Sequence, residues 1–202
     1  MTVLGIYGSP RQGGNSDLLL DQALAGAAAA GAEIKRIYAR DLNLSGCREC
    51  GGCDQTGTCV ISDDMEEVYS LLWNAEVIFL SSPIFFYGLP AQVKMMVDRS
   101  QALWSRRMLE KSAEGRKRYD HGKGYLLAVG ATRGKNLFEG VELTAKYFFD
   151  ALDKGYEGGL FYRAVEGPGK IREHPTALEE AFALGKRAAE NRSVVPRGGN
   201  QL

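Results

Sequence analysis

The residues best suited to chemistry in this sequence are four cysteines in one short segment. Cys47, Cys50, Cys53 and Cys59 follow the spacing C-x2-C-x2-C-x5-C, and the 202-residue chain has no other cysteine. Cysteines this close together cannot staple distant parts of a chain, whereas closely spaced thiolates are typical metal ligands. The spacing therefore predicts a metal site rather than a disulfide framework.

The bulk composition narrows the kind of partner. The 25 basic and 25 acidic side chains balance, which gives no sign of a nucleic-acid or membrane-surface protein. Met1 leads almost at once into a strand-like run, without the charged and apolar regions of a signal peptide or a long membrane-spanning stretch. We therefore expect a cytoplasmic protein that acts on small molecules, in a reducing compartment where thiols stay free.

Strand and helix patterns alternate along the whole chain. Apolar runs predict five strands, over residues 2–7, 33–38, 75–81, 125–130 and 159–163. Periodicity, caps and prolines predict helices over residues 16–30, 65–73, 90–104, 137–150 and 176–191, the first of them capped by Ser16. Continuous apolar strands separated by helices are typical of a parallel sheet covered on both faces. The pattern predicts a doubly wound α/β fold.

The domain organisation follows from the same pattern. We expect one domain over residues 1–192, because no linker or internal repeat divides it. The cysteines fall in an insertion at 43–63, and a loop of this length within a compact domain is usually functional. Residues 193–202 contain Pro196 and a Gly198-Gly199 pair, and they are expected to form a flexible tail.

The loop after the first strand has the composition of a phosphate site. Its sequence is Gly-Ser-Pro-Arg-Gln-Gly-Gly-Asn-Ser, residues 8–16. Free backbone N–H groups at the following helix N-terminus favour an anion. Ser9, Asn15 and Ser16 would add donors, and Arg11 would add a charge-assisted contact. The loop matches neither a Walker A motif nor G-x-G-x-x-G, and a plain glycine-rich turn remains the alternative.

The loop after the third strand is aromatic. It reads Ser-Pro-Ile-Phe-Phe-Tyr-Gly-Leu-Pro over residues 82–90. Such a loop is costly to leave in water, so it should cover a flat ligand or an oligomer surface. In the strand order 2-1-3-4-5, the first and third strands flank the switch point where ligands bind. An isoalloxazine ring fits this position, while core or dimer packing of the aromatic side chains is the alternative.

Three segments together resemble a known family. Residues 8–16, 82–91 and 94–99 are similar to the NADPH-dependent FMN reductase branch of the flavodoxin-like superfamily. The cysteine spacing narrows the resemblance to the iron–sulfur flavoproteins. It implies a flavodoxin-like three-layer sandwich with the sheet order 2-1-3-4-5, bound FMN, a [4Fe–4S] cluster, and a homodimer or homotetramer that passes electrons between cluster and flavin.

The resemblance also implies roles for individual residues. The phosphate would be held by Ser9, Arg11, Asn15 and Ser16. The flavin ring would be surrounded by Pro83, Ile84, Phe85, Phe86, Tyr87 and Gly88. A third flavin loop after the fourth strand would contribute Ala131, Thr132 and Gly134. The cluster would be bound by Cys47, Cys50, Cys53 and Cys59.

The identity of the metal has alternatives. Zinc usually takes two separated cysteine knuckles, whereas three cysteines at x2 spacing with a nearby fourth are closer to the ferredoxin-like pattern. A structural zinc site, vestigial thiols and a redox disulfide remain open. Glycines at 46, 51, 52 and 57 would let the backbone fold around a cluster.

These observations predict an FMN-dependent oxidoreductase with a [4Fe–4S] cluster. Its donor would be a ferredoxin-like protein or NAD(P)H, and its acceptor a small molecule; the cofactors carry the chemistry, so no catalytic side chain is assigned. A cluster-free NAD(P)H-dependent FMN or quinone reductase is one alternative, and a non-enzymatic redox sensor or electron carrier is another.

Residues 105–124 form a basic stretch, with seven basic and three acidic side chains. This composition is typical of a solvated helix end followed by a mobile loop. The alternative is a docking site for an acidic ferredoxin or for the NADPH phosphate.

Overall fold

The computed structural model describes residues 1–191, in which strands and helices alternate. The strands are β1 (Thr2–Tyr7), β2 (Glu33–Tyr38), β3 (Val77–Pro83), β4 (Lys123–Val129) and β5 (Gly155–Tyr162). The helices are α1 (Asn15–Ala29), α2 (Met65–Asn74), α3 (Ala91–Arg99), α4 (Gln101–Glu110), α5 (Glu139–Ala151) and α6 (Ala177–Glu190). The tail predicted at 193–202 lies outside the described residues.

The strands form one sheet in the order β2-β1-β3-β4-β5. Every neighbouring pair is parallel, so each connection must cross over one face of the sheet. The predicted order is therefore confirmed. Because parallel strands end at a common edge, the loops after β1, β3 and β4 come together at the carboxyl edge of the sheet.

Two hydrophobic cores lie on opposite faces of the sheet. On one face, strand residues such as Phe79 and Leu127 pack in a fully buried cluster with α1 and α6. On the other face, Leu80 and Leu126 pack with side chains of α2, α3 and α5. Alternate residues of β3 and β4 thus point into different cores, which explains why these strands are apolar throughout. The result is the predicted three-layer sandwich.

Several element boundaries differ from those that the sequence predicts. The helix predicted at 90–104 is two helices that meet at Ser100, where ψ of −2° departs from regular helical values and the hydroxyl donates to the Met96 carbonyl at 3.0 Å. Ser16 does not cap α1: Gly14 precedes the helix, and Ser16 lies in its first turn. The fifth strand begins at Gly155 rather than 159, since its glycines obscure the strand pattern.

The cysteine segment lies between a short 3₁₀ turn at 39–41 and α2, and residues 42–64 contain neither helix nor strand. Among the described residues, no helix combines the length and apolar character needed to cross a membrane.

Candidate functional site

The loops after β1, β3 and β4 surround one cavity of about 190 Å³ at the carboxyl edge of the sheet. Seven of the residues predicted to bind the cofactor line it: Ser9, Arg11, Asn15, Ser16, Pro83, Phe85 and Ala131. The structure therefore brings together side chains from three loops that are far apart in the sequence.

Gly8, the first residue of the loop after β1, lies in direct contact with the backbone of β3. The Gly8 N–H donates to the Ser81 carbonyl at 2.7 Å. A Cβ atom on residue 8 would lie only 2.6 Å from that carbonyl oxygen, so glycine is required there. The Ser81 hydroxyl in turn donates to the Ser16 carbonyl at 2.7 Å. These two bonds hold the loop and the first turn of α1 against the end of β3.

Ser16 offers a buried hydroxyl that lacks a partner within residues 1–191. Its side chain is 1% exposed, and its Oγ makes no hydrogen bond there. A buried polar atom without a partner is costly, and a ligand oxygen would relieve that cost. Ser9 is also buried, and its Oγ accepts the Arg11 N–H at 3.1 Å. The N-terminus of α1 beside these groups adds partial positive charge. The cavity is thus suited to a phosphate.

A buried ion pair between Arg40 and Asp17 stabilises the loop after β1. Arg40 donates to the Asp17 carboxylate at 2.9 Å and to the Ser9 carbonyl at 3.2 Å. Asp17 also accepts the N–H of Gly13, a residue with φ +65°. Burial raises the pKa of Asp17, although the Arg40 charge opposes that shift. The pair therefore ties the end of β2 to the loop that lines the cavity.

Asn15 contacts a segment that the sequence did not suggest. Its amide donates to the Gly167 carbonyl at 2.8 Å and accepts the Ile171 N–H at 3.1 Å. The carbonyl oxygen and one N–H of the Asn15 amide are thus engaged within the fold, and the amide has a second N–H. The connected segment, 165–167, forms a fourth wall of the cavity. The Gly-Pro-Gly sequence at 167–169, a few residues after β5, is typical of a turn. This pattern could have predicted another loop at the carboxyl edge.

The aromatic loop forms a tight hairpin that projects into solvent. The N–H and carbonyl groups of Phe85 and Gly88 bond each other in both directions, at 3.0 and 2.8 Å. Phe86 and Tyr87 between them have φ values of +50° and +61°. This left-handed conformation is unfavourable for residues other than glycine, and such strain concentrates at functional sites. Phe86 is fully exposed, and the neighbouring aromatic side chains are about half exposed.

The remaining predicted flavin residues do not line the cavity. They are Ile84, Phe86, Tyr87, Gly88, Thr132 and Gly134. Ile84 packs against the core formed with α5. The Thr132 carbonyl accepts the Ala164 N–H at 3.2 Å. A Cβ on Gly134 would lie 2.4 Å from the Tyr87 hydroxyl, so the loop after β4 supports the aromatic hairpin directly.

All four cysteines line a second cavity, of about 750 Å³. The other wall comes from α3 and α4, including Arg99, Gln101 and Trp104. The four thiols are free; Cys47 and Cys50 are exposed, whereas Cys53 and Cys59 are partly buried. The fold thus gathers the predicted metal ligands around one space.

The spacing of these thiols does not suit a single ion. Within residues 1–191, no three Cys, His, Asp or Glu side chains lie close enough together to share one metal ion. A zinc ion would need four ligand atoms within about 2.3 Å of one point. A cluster of four irons takes each thiolate at a different corner, so its ligands can stand further apart. Four thiols around a cavity of about 750 Å³ are compatible with ligands for such a cluster.

Polar groups approach two of the sulfur atoms. The buried Ser105 hydroxyl donates to the Cys53 sulfur at 3.7 Å. Burial acts to raise the pKa of the Cys59 thiol, but the Ile61 N–H, the Tyr69 hydroxyl and the Arg99 guanidinium outweigh it and lower that pKa. Donors of this kind stabilise thiolate sulfur.

The backbone of the cysteine loop adopts conformations that glycine favours. Gly57 has φ +69°, and a Cβ there would lie 2.8 Å from the Arg106 backbone in α4. Glu49 also has a positive φ, +50°, immediately before Cys50. The loop therefore folds tightly against α4 at the expense of local strain.

Basic side chains of the stretch 105–124 form ion pairs with acidic side chains of the same chain. Arg107 pairs with Asp150 at 3.1 Å and with Asp153 at 2.9 Å, and Lys111 pairs with Asp153 at 2.6 Å. Arg107 and Lys111 are only 3% and 14% exposed. These two cations therefore stabilise the fold and are not available to a docking partner.

A phosphate-type cavity at the switch point of a five-stranded 2-1-3-4-5 sheet, beside an aromatic hairpin, defines a flavodoxin-like flavoprotein. Solved structures agree on the fold: the Trp repressor binding protein of Bacillus subtilis superposes with a TM-score of 0.62 at 21% identity over 91% of this chain and 99% of its own. An archaeal flavodoxin superposes with a TM-score of 0.52 at 12% identity over 94% and 97% of the two chains.

Residues 1–136 match the NADPH-dependent FMN reductase family, and the chain belongs to it. An iron-sulfur flavoprotein of Methanocaldococcus jannaschii is 33% identical over 198 residues, which cover 94% of this chain and 96% of that protein. The chain is therefore a flavin-dependent oxidoreductase, and FMN is the cofactor of its family.

Proposed function

We propose that this oxidoreductase carries FMN and a [4Fe–4S] cluster and passes electrons from a ferredoxin-like protein or NAD(P)H to a small acceptor. Cys47, Cys50, Cys53 and Cys59 would hold the cluster. The name of the iron-sulfur flavoprotein relative supports this assignment, as does the cavity that the four thiols share.

The observation that carries the proposal is the position of α3 between the two cavities. The helix begins at Ala91, directly after the aromatic loop, and Val93 packs beside Gly8 in the phosphate loop. It ends at Arg99, which lines the cysteine cavity together with Asp98. At about 1.5 Å per residue, its nine residues span about 14 Å from the end next to the aromatic loop to the end that lines the cysteine cavity. Both sites belong to the same chain, which suits electron exchange between them.

On the flavin side, Ser9, Arg11 and Ser16 would bind the phosphate, while Asn15 would fix the segment after β5 beside it. Ligand pockets commonly measure roughly 300–1,000 Å³, more than the about 190 Å³ found here. The rest of the flavin would therefore lie against the exposed hairpin, which explains its aromatic composition.

The ring would be bordered by Pro83 and Ala131 within the cavity and by Ile84, Phe85, Phe86, Tyr87, Gly88, Thr132 and Gly134 around it. Apolar side chains on both sides would exclude water from the ring, and backbone N–H groups of the turn would orient its polar edge. When bound, FMN supplies one- and two-electron chemistry and the cluster one-electron chemistry, so together they join donors and acceptors of different electron number.

The partners are a small acceptor, one of the two donors and further copies of this chain, in a homodimer or homotetramer of the cytoplasm. No nucleic-acid or membrane partner is proposed, in keeping with the balanced charge. Light scattering of the purified holoprotein tests the assembly, and a monomeric mass would contradict it.

Anaerobic purification with flavin, iron and sulfide analysis tests the proposal. We expect one FMN, four irons and four sulfides per chain, and bleaching of the cluster absorbance when a reduced ferredoxin is added. A Cys50→Ser variant should lose iron and keep FMN. Full FMN with no iron in the anaerobic wild-type protein would refute the cluster.

The cluster-free NAD(P)H-dependent reductase is the second candidate. It is favoured by the match of residues 1–136 to the NADPH-dependent FMN reductase family, whose description names no cluster. It predicts that the protein without iron oxidises NADPH as fast as the anaerobic protein does, with FMN or a quinone as acceptor. A rate that depends on iron content would exclude it.

A further inference from the structure

One buried arginine closes the cysteine loop at both ends. Arg99, the last residue of α3, is 1% exposed. Its Nη1 donates to the Ser45 carbonyl at 2.9 Å and its Nη2 donates to the Ile61 carbonyl at 3.1 Å. Ser45 precedes Cys47 by two residues, and Ile61 follows Cys59 by two. A single side chain thus fixes the two points where the cysteine segment begins and ends.

Asp63 completes this closure. Both of its carboxylate oxygens accept from Arg99, at 2.7 and 3.1 Å, in a two-pronged ion pair. The same carboxylate accepts the N–H groups of Ser45 at 2.9 Å and Met65 at 3.1 Å. Since both side chains are nearly inaccessible, the pair is shielded from water and geometrically well defined. The loop ends are therefore anchored to the start of α2 as well as to α3.

Arg99 also faces the space that the cysteines line. Its Nε is buried and finds no acceptor within residues 1–191. The Tyr69 hydroxyl donates to the Arg99 carbonyl at 3.0 Å and stands beside the Cys59 sulfur. The permanently charged guanidinium thus lies close enough to the fourth cysteine to lower the pKa of its thiol.

We propose that Arg99 is the positioning residue of the cluster site: it closes the loop that presents the cysteines, and it places a fixed cation beside Cys59. This proposal rests on the cluster assigned under the proposed function. Reduction of a cluster adds one negative charge, which a nearby buried cation stabilises. Arg99 would therefore raise the reduction potential as well as retain the iron.

Lysine cannot replace arginine in this arrangement. The guanidinium uses a planar fork to reach two carbonyls and a carboxylate at once, whereas an ammonium group is a compact point charge with three donors. Arg99→Lys keeps the charge but loses the simultaneous closure of both loop ends. This conservative substitution therefore isolates the geometry of the guanidinium.

Arg107→Lys is the matched control. Arg107 is likewise buried, at 3% exposure, and pairs with a buried aspartate, Asp153, at 2.9 Å. It lies outside the cysteine cavity. Both variants should lower the unfolding free energy, so stability alone does not distinguish them. Only Arg99→Lys should affect the cluster.

The experiment measures iron retention against a chelator, and the midpoint potential by spectroelectrochemical titration, in anaerobically purified holoprotein. For Arg99→Lys, which keeps the charge, we expect iron affinity to fall about 10–100-fold. For Arg99→Gln, which removes the charge, we expect the potential to become more negative as well, with Arg107→Lys like the wild type in both measurements. Wild-type iron retention in Arg99→Lys, or a wild-type potential in Arg99→Gln, would overturn the proposal. Equal losses in Arg99→Lys and Arg107→Lys would also overturn it, because they would indicate general destabilisation.

A separate measurement distinguishes failure of this inference from failure of the proposed function. If the wild-type protein binds no iron, the cluster and the electronic role of Arg99 both fail. Loop closure is then tested on the iron-free protein by limited proteolysis within 45–61. We expect cleavage of Arg99→Lys at least 10-fold faster than of Arg107→Lys. Equal cleavage rates would refute the closure as well.

Discussion

The Arg40 guanidinium donates to the Asp17 carboxylate at 2.9 Å. This buried contact joins the 3₁₀ turn that follows β2 to the first turn of α1. The Asp17 side chain is 4% exposed and the Arg40 side chain 13%. Removal of one partner would leave an uncompensated charge in a site that water barely reaches. The phosphate loop depends on this pair, because Arg40 also holds the Ser9 carbonyl.

Arg40→Gln should therefore lower the unfolding free energy by about 3 kcal/mol, measured by urea denaturation. The control is Lys117→Gln, which breaks an ion pair with Glu114 whose side chains are 71% and 73% exposed and should cost below about 1 kcal/mol. Adding Asp17→Asn to Arg40→Gln should restore part of the loss, since the unpaired charge is then gone. Equal costs for the two single variants would contradict this account.

Ser16→Ala should have opposite effects on the free and flavin-bound proteins. Without FMN, the change removes a buried hydroxyl that lacks a partner in residues 1–191, so the unfolding free energy should stay the same or rise by up to about 1 kcal/mol. FMN affinity should fall about 10-fold or more, because a hydrogen bond to a charged group contributes about 1.5–3 kcal/mol. Fluorescence titration and urea denaturation measure the two effects.

Ser81→Ala is the matched control for this prediction. Its hydroxyl is equally buried but donates to the Ser16 carbonyl at 2.7 Å, so its loss should destabilise the FMN-free protein by about 1 kcal/mol. Destabilisation by Ser16→Ala, or unchanged FMN affinity in that variant, would argue against a phosphate contact at Ser16.

The fold could be predicted from the sequence, whereas much of the site geometry could not. Apolar runs separated by helices predict the parallel doubly wound sheet, the family resemblance implies its strand order, and Gly8 and the aromatic loop identify the ligand edge. The contact of Asp17 with Arg40 arises only when β1 pairs with β2. Likewise, the bond from Asn15 to Gly167 joins residues 152 positions apart. Such contacts cannot be predicted from local sequence, because no periodicity or motif around either residue indicates its partner.

Phe86→Asn should stabilise the fold and weaken FMN binding. The backbone at residue 86 has φ +50°, a conformation that asparagine adopts more readily than phenylalanine. The phenylalanine side chain is fully exposed, so folding loses little apolar burial. The unfolding free energy should rise by up to about 1 kcal/mol, while FMN affinity should fall by up to about 10-fold through the lost aromatic contact.

The control for the hairpin is Leu143→Gln on α5, which also removes an exposed apolar side chain, 57% accessible. It should leave FMN affinity unchanged. If Phe86→Asn binds FMN like the wild type, the predicted contact between Phe86 and the flavin ring is wrong, and the exposed hairpin would serve another purpose such as contact between copies of the chain.

Lys154, which lines neither of the two cavities, should make stability depend on pH. The side chain is fully buried, and its Nζ donates to the carbonyls of Trp73 at 3.2 Å and His121 at 2.6 Å. Burial lowers the pKa of Lys154 from 10.5 to about 7, with Asp153 and Glu76 opposing the shift. Between these two pKa values, the unfolded chain binds one proton more than the folded chain does.

The free energy of unfolding should therefore rise with pH across this window, by up to about 1.4 kcal/mol per pH unit. Below pH 7 both states are protonated, and the cost of burying the ammonium group is fully present. In urea denaturation under reducing conditions, the unfolding free energy of Lys154→Met should depend less on pH over the same window, because methionine at position 154 does not titrate. Parallel pH profiles for the two proteins would show that Lys154 keeps an ordinary pKa in the folded state.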